Sequence, residues 1–264
     1  MNLENTLYRS NTRAYPLSNA PHSLDVAKNW RGAPHPPNVV KNWQGALHRR
    51  LDAMKNMQGF PHHGRVWVKK LVQESRIRLA TWNIGTLTGK SIELVDTMKR
   101  RRVNIACLQE TKWKGKKAKD IDGFKLWYTG EANNKNGVGI IVDKDLKEKV
   151  VDVKRIGDRI IAIKLVLEKE IINIISAYAP QIGLDETTKK QFWENMDGLV
   201  QGIPESERIF IGGDLNGHVG KTSGGYERVH GGYGFGERNA AGEAILEFTM
   251  AYDLTIANTY FIKR

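Results

Sequence analysis

Between residues 124 and 178, five segments rich in β-branched and aromatic residues follow one another with little room for a helix: 124–128, 137–142, 150–156, 159–167 and 171–178. Strands joined by short turns pair antiparallel, so this run commits the middle of the chain to sheet. On either side of it, strand and helix patterns mix. Residues 77–83 alternate as a half-buried strand should. Gly85 and Gly89 break that pattern. A stripe of Ile92, Leu94, Val95 and Met98 then predicts a helix over 91–102, with Ser91 as its cap and basic residues 99–102 at the negative end of its dipole. Residues 103–110 read as a buried strand and 112–119 as a basic loop containing Trp113. A helix over 185–200 presents Phe192, Trp193, Met196, Leu199 and Val200 to a core. The apolar run 209–211 is a further buried strand, followed by a Gly-rich loop over 217–236, a helix over 239–252 and a strand over 254–258.

Residues 1–76 have a different character. Pro, Asn, His and Arg are frequent, and the apolar residues show no period of 2 or 3.6, so the segment is expected to be a disordered leader before a domain spanning 77–264. It carries a repeat at a spacing of 13 residues. Ala20-Pro21-His22 recurs as Ala33-Pro34-His35, and Lys28-Asn29-Trp30 as Lys41-Asn42-Trp43, which is too few and too short for a solenoid. The segment also holds 12 Lys/Arg against 4 Asp/Glu, so the remaining 188 residues have 29 against 25 and the total of +12 is mostly a property of the leader. Such an excess favours a polyanionic partner. Cys107 is the sole cysteine, which excludes an intramolecular disulfide and a cysteine-rich zinc site. No apolar run is long enough to span a membrane and no secretory h-region is present, so no membrane partner is expected and a soluble, intracellular protein is.

Four apolar runs end on polar residues: Asn83, Glu110, Tyr178, and the pair Asp214 and Asn216. One such ending is an ordinary turn, whereas four suggest a shared pocket at the ends of strands. Two carboxylates with asparagines and no thiolate form a hard, oxygen-rich donor set suited to Mg²⁺ or Mn²⁺. Phosphoester hydrolysis needs such a set: a cation to neutralise phosphate charge, a base for water, and neutral donors for the oxygens. His218 lies near Asp214 but within the Gly-rich loop, and is expected to be surface polar.

Thr81-Trp82-Asn83, Leu108-Gln109-Glu110-Thr111, Ala177-Tyr178-Ala179-Pro180 and Gly213-Asp214-Leu215-Asn216, in this order, resemble the exonuclease/endonuclease/phosphatase superfamily. The segments Glu237-Arg238-Asn239 and Asn258-Thr259-Tyr260-Phe261 look more specifically like the apurinic-type endonucleases of non-LTR (LINE) retrotransposons and the craniofacial development protein 2-like proteins. The resemblance covers 77–264 and implies an α/β fold, a four-layered sandwich of two packed, mostly antiparallel mixed sheets flanked by helices. It further implies a Mg²⁺- or Mn²⁺-dependent nuclease acting on DNA, and within the cell the nucleus is expected over the cytoplasm. By the same resemblance, Glu110 is the main metal ligand with Asn83 beside it. Asp214 orients or deprotonates water, Asn216 holds a phosphate oxygen, Tyr178 assists the transition state and Asn239 supports the pocket.

The chain departs from that pattern at its end. The family continues into an Asp-containing strand and a terminal Ser-Asp-His motif. Neither occurs before Arg264, and neither His218 nor His230 follows Ser-Asp. A C-terminally truncated domain is therefore expected, with one sheet left with an unpaired edge. Loss of a catalytic group of that kind typically costs a factor of about 10² to 10⁴ in rate. The alternatives are a non-catalytic remnant that binds nucleic acid through residues 1–76 and 112–119, and a phosphatase- or sphingomyelinase-like phosphoesterase, since one fold hosts many chemistries.

Overall fold

The structure, a computed structural model, describes residues 5–9, 24–27, 76–131 and 135–262, which belong to one compact unit. In chain order the elements are β1 (Asn5–Arg9), β2 (Leu24–Ala27), β3 (Ile77–Asn83), α1 (Ser91–Arg101), β4 (Ile105–Gln109), β5 (Gly115–Ile121), β6 (Phe124–Gly130), β7 (Val138–Val142), β8 (Val150–Ile156), β9 (Ile160–Val166), β10 (Ile171–Tyr178), α2 (Glu186–Gln201), β11 (Arg208–Asp214), α3 (Ala240–Ala251) and β12 (Thr255–Ile256). They build two six-stranded sheets, ordered β12-β1-β11-β10-β9-β8 and β2-β3-β4-β7-β6-β5. Most neighbours are antiparallel, as the short connections require. The β10–β11 and β3–β4 pairs are parallel, and α2 and α1 provide the crossovers between them.

Three apolar layers hold the sheets and helices together. The inner layer packs Leu79, Ile105, Cys107, Ile140 and Val142 of one sheet against Ile161, Ile163, Ile174 and Phe210 of the other. On the outer face of the first sheet, Leu94, Val95 and Met98 of α1 cover Ala106, Leu108, Leu126 and Ile141. Phe192, Met196, Leu199 and Val200 of α2, with Ile245, Leu246 and Phe248 of α3, cover the outer face of the second. The result is the four-layered α/β sandwich that the resemblance implies.

Within the sandwich, β11 approaches the opposite sheet closely because it lacks side chains where it crosses. A Cβ on Gly212 would stand 2.9 Å from both Cβ and Sγ of Cys107. Any larger residue there forces the layers apart.

Several expectations are corrected. Two parts of the 1–76 segment are strands: β1 lies between β11 and β12, and β2 pairs in parallel with β3, so the boundary at Ile77 is crossed by the sheets. Leu7 is fully buried in the layer under α2 and α3. Four- and five-residue strands are too short to show a period of 2 against a Pro- and Asn-rich background, which is why composition pointed to disorder. The rest of 1–75, including most of the 13-residue repeat, lies outside the described residues. On β11, the side away from β10 is paired by β1, and the two-residue β12 is then the outermost strand of that sheet.

Residues 115–119, read as part of a basic loop over 112–119, belong to the edge strand β5, whose lysines hid its β character. The strand expected over 254–258 is two residues long and passes into a 3₁₀ turn at Ala257–Thr259. Ser91 makes no cap, because Lys90 occupies that position without a side-chain bond, and Ile92 is 58% exposed, outside the core stripe. No helix among the described residues is long and apolar enough to cross a membrane.

Candidate active site

Two parallel strand pairs, β3–β4 in one sheet and β10–β11 in the other, end at the same place. In the first, Asn83 at the end of β3 registers with Gln109 at the end of β4, so Glu110 follows beside it. In the second, Tyr178 at the end of β10 registers with Asp214 at the end of β11. Packing the sheets face to face brings these four ends together. The Asn83 amide nitrogen donates to Glu110 Oε1 at 2.8 Å and to Asp214 Oδ2 at 2.9 Å, while its oxygen accepts from the Gly85 N–H at 3.1 Å. Tyr178 donates its hydroxyl to Glu110 Oε1 at 3.1 Å. One amide and one phenol thus stitch two carboxylates across the sandwich.

Backbone conformation aims two of these groups. Glu110 and Asn216 have φ of 55° and 49°, a left-handed region that non-glycine residues enter at a cost and that concentrates at functional sites. At Glu110 the chain turns sharply as it leaves β4, and the Thr111 and Lys112 N–H groups bond to the carbonyls of Gly137 and Asn136. At Asn216 the turn lets its own N–H reach Asp214 Oδ1 at 3.2 Å and its side-chain amide donate to the Ala179 carbonyl at 2.8 Å. Asn239 stands further off. Its Oδ1 caps α3 through Gly242 N–H at 2.8 Å and holds the His218 N–H at 3.1 Å, tying down the loop that follows Asn216. His218 is exposed, and His230 is buried between Gly220 and Gly232, so neither joins the cluster.

Several residues that no sequence argument singled out support the site. Gln109 is fully buried between the sheets, donating to Ser176 Oγ at 3.1 Å and to the Gly212 carbonyl at 3.4 Å, and accepting from Thr81 at 3.3 Å. This network joins β3, β4, β10 and β11 one layer beneath the carboxylates. The clue was available: Thr81, Gln109 and Ser176 are each a polar residue inside an apolar strand, and such groups need partners. Lys112 places its ammonium 3.6 Å from Glu110 Oε2. Arg159 donates to the Tyr178 carbonyl at 3.2 Å and lies over the Tyr178 ring, and Gln181 donates to the Tyr178 hydroxyl at 3.4 Å.

The donor set suits a hard cation. Glu110 and Asp214 are held as a pair with their oxygens converging, and two negative charges this close would repel an incoming phosphodiester unless a cation offsets them. Among the described residues no group of three or more His, Cys, Asp or Glu side chains forms a ready cage. Two carboxylates alone suit Mg²⁺, which keeps several waters and takes other ligands from substrate phosphate. Asn83 turns its nitrogen toward the carboxylates, so its oxygen would serve as a ligand only after the amide rotates away from Gly85.

Burial is the main cause that pushes the Tyr178 phenol up to about 12, with the Glu110 charge and hydrogen bond next and Asp214 adding to them against Gln181. Tyr178 is therefore a proton-bearing donor across the neutral range. Its folded-state value lies above the unfolded value of about 10. Its stabilising contribution is thus complete below that pH and is lost as pH rises toward 12. Ultraviolet titration is expected to show a late-ionising phenol that disappears in Tyr178→Phe. A wild-type protein without such a late phenol would contradict this environment.

Residues 80–238, more than half of the chain, match the Endonuclease/Exonuclease/phosphatase family. Craniofacial development protein 2 of Bos taurus is 29% identical over 185 residues, covering 69% of this chain and 31% of that protein. The Tragulus javanicus protein of the same name is 28% identical over 185 residues, covering 69% and 32%. The chain thus spans about a third of the length of the curated relatives it matches. Among solved structures, the endonuclease domain of TRAS1, a telomere-specific non-LTR retrotransposon, is 18% identical with a TM-score of 0.48, covering 66% of this chain and 71% of that one. The AP endonuclease LMAP from Leishmania major is 16% identical with a TM-score of 0.44, covering 65% of each chain.

Proposed function

Since the chain belongs to the endonuclease/exonuclease/phosphatase family, we propose that the four converging strand ends form a divalent-metal-dependent phosphodiesterase site that hydrolyses nucleic acid, DNA in the first instance. The observation that carries the reading is the Asn83 amide bonded to both Glu110 and Asp214, which holds two carboxylates from different sheets at one point. The resemblance of residues 237–261 to retrotransposon apurinic-type endonucleases supports DNA over a small phosphoester.

In the proposed reaction a water oxygen bonds to the scissile phosphorus as the bond to the leaving sugar oxygen breaks, and solvent protonates that oxygen. Asp214 takes the water's proton. Its Oδ1 accepts from the Asn216 N–H and its Oδ2 from the Asn83 amide, which orients the carboxylate. Glu110 and Asp214 would hold Mg²⁺ or Mn²⁺, which when bound supplies charge neutralisation at the phosphate. Tyr178, kept protonated, can shift its hydrogen bond from Glu110 to a non-bridging phosphate oxygen, and Asn216 offers its remaining amide N–H to another. Arg159 and the Gln109 network keep the strand ends in register beneath these groups.

The purified chain is expected to nick supercoiled plasmid with Mg²⁺ and to lose that activity with EDTA or with Glu110→Ala. Nicking that survives Glu110→Ala would sink the proposal. Cleavage of small phosphomonoesters in place of plasmid would move the reading to a phosphatase.

A further inference from the structure

The chain leaving Glu110 runs directly into an unneutralised basic edge. Residues 112–119 contain Lys112, Lys114, Lys116, Lys117 and Lys119 and no acid. Lys112 faces Glu110, and Lys119 lies over the Trp113 ring at 5.2 Å. Lys114, Lys116, Lys117 and Lys119 are exposed, and none forms an ion pair among the described residues. Lysines elsewhere commonly do, as in Lys147 with Asp120, Lys164 with Glu207 and Lys189 with Glu186.

The segment is also held rigidly. Left-handed φ values at Glu110, Lys112 and Gly115 turn the chain from the site to the sheet edge. The Trp113 carbonyl sits so close to Gly130 that a Cβ there would stand 1.9 Å from its oxygen. The Trp113 ring meets Tyr128 edge-on at 5.1 Å. From Gly115 the strand pairs residue for residue with β6, and Arg155 of the other sheet donates to the Tyr128 and Lys117 carbonyls.

Lysines on an edge strand also guard against sheet-to-sheet aggregation. That role does not call for a row continuing through the preceding loop to a pair of carboxylates. Alternate residues of a strand stand about 7 Å apart. Lys117 and Lys119 share one face of β5 with Lys116 on the other, and such an exposed run along one edge matches a linear polyanion better than a single phosphate. We propose that Lys114 to Lys119 of β5 and its entry loop form a track for the nucleic-acid backbone flanking the phosphodiester delivered to Glu110 and Asp214. This inference rests on the phosphodiesterase reading for its direction, but binding tests it without cleavage.

The test measures fluorescence anisotropy of a labelled DNA duplex with the full chain in EDTA over a range of salt. The variants are Lys116→Ala/Lys117→Ala/Lys119→Ala and, as a two-lysine control on α2 compared per lysine, Lys189→Ala/Lys190→Ala. Each phosphate contact contributes about 0.9 to the slope of log affinity against log salt. The triple variant is expected to lose about 2 to 3 from that slope and at least tenfold in affinity at low salt, with unchanged thermal melting. The control pair should keep the slope. An unchanged slope in the triple variant, an equal fall per lysine in the control, or no wild-type binding overturns the track. Lysine-dependent sedimentation with phosphatidylserine vesicles, with DNA binding unaffected, overturns it in favour of a membrane surface. Salt-dependent binding through these lysines, with no plasmid nicking when Mg²⁺ is supplied, leaves the track standing and refutes the hydrolytic reading.

Discussion

Asp214→Asn is expected to slow plasmid nicking by a factor of about 10² to 10⁴ while changing unfolding stability by no more than about 1 to 2 kcal/mol. Activity falls because the proposed water-activating group loses its basicity and its charge. Stability is nearly conserved because two effects oppose. Removing one of two carboxylates that share the Asn83 donor relieves their repulsion, and it places an amide N–H where Asn83 expects an acceptor. Nicking rates paired with urea midpoints check both halves. Wild-type-like nicking, or a collapse in stability, would show that Asp214 is a structural group. Mg²⁺ should also raise the wild-type unfolding temperature, because a ligand of the folded state stabilises it by mass action, and should do so less in the variant.

The second large effect falls far from the site in sequence. Leu7→Ala is expected to cost about 2 to 5 kcal/mol, the usual range for emptying a fully buried leucine position. Deleting residues 1–9 should cost more, since it also strips five register partners from β11 and leaves β12 without its strand neighbour. Chemical unfolding of both proteins measures this. A deletion variant that unfolds at the wild-type midpoint would show that β1 adds nothing to the sheet.

These two predictions differ in how visible they were in the sequence. Asn83, Glu110, Tyr178 and Asp214 could be read as polar endings of apolar runs, and their order carried a family resemblance. That resemblance led to the sandwich, and the sheets do bring all four together. Gln109 and Ser176 were quoted or passed over as parts of strands, because their role depends on which strands face each other, and spacing along one strand cannot reveal it. Lys112 and Arg159 were hidden for the opposite reason: an exposed or half-exposed cation has many ordinary explanations until a carboxylate or a phenol is found beside it. β1 was missed because a five-residue strand is specified by its partners, and those lie some two hundred residues away.

That separation bears on how the molecule assembles. β11 can find β10 across the α2 crossover early, since the two are near in sequence, but its other side waits for β1. Contacts of such long range require a large loop to close before they return any stabilisation, and they slow folding accordingly. During synthesis β1 leaves the ribosome well before β11 does, and it cannot pair with that strand until β11 follows. The strand that carries Asp214 is thus completed late, by a segment made early, and in that interval the half-built sheet is the part of the molecule most open to misassembly.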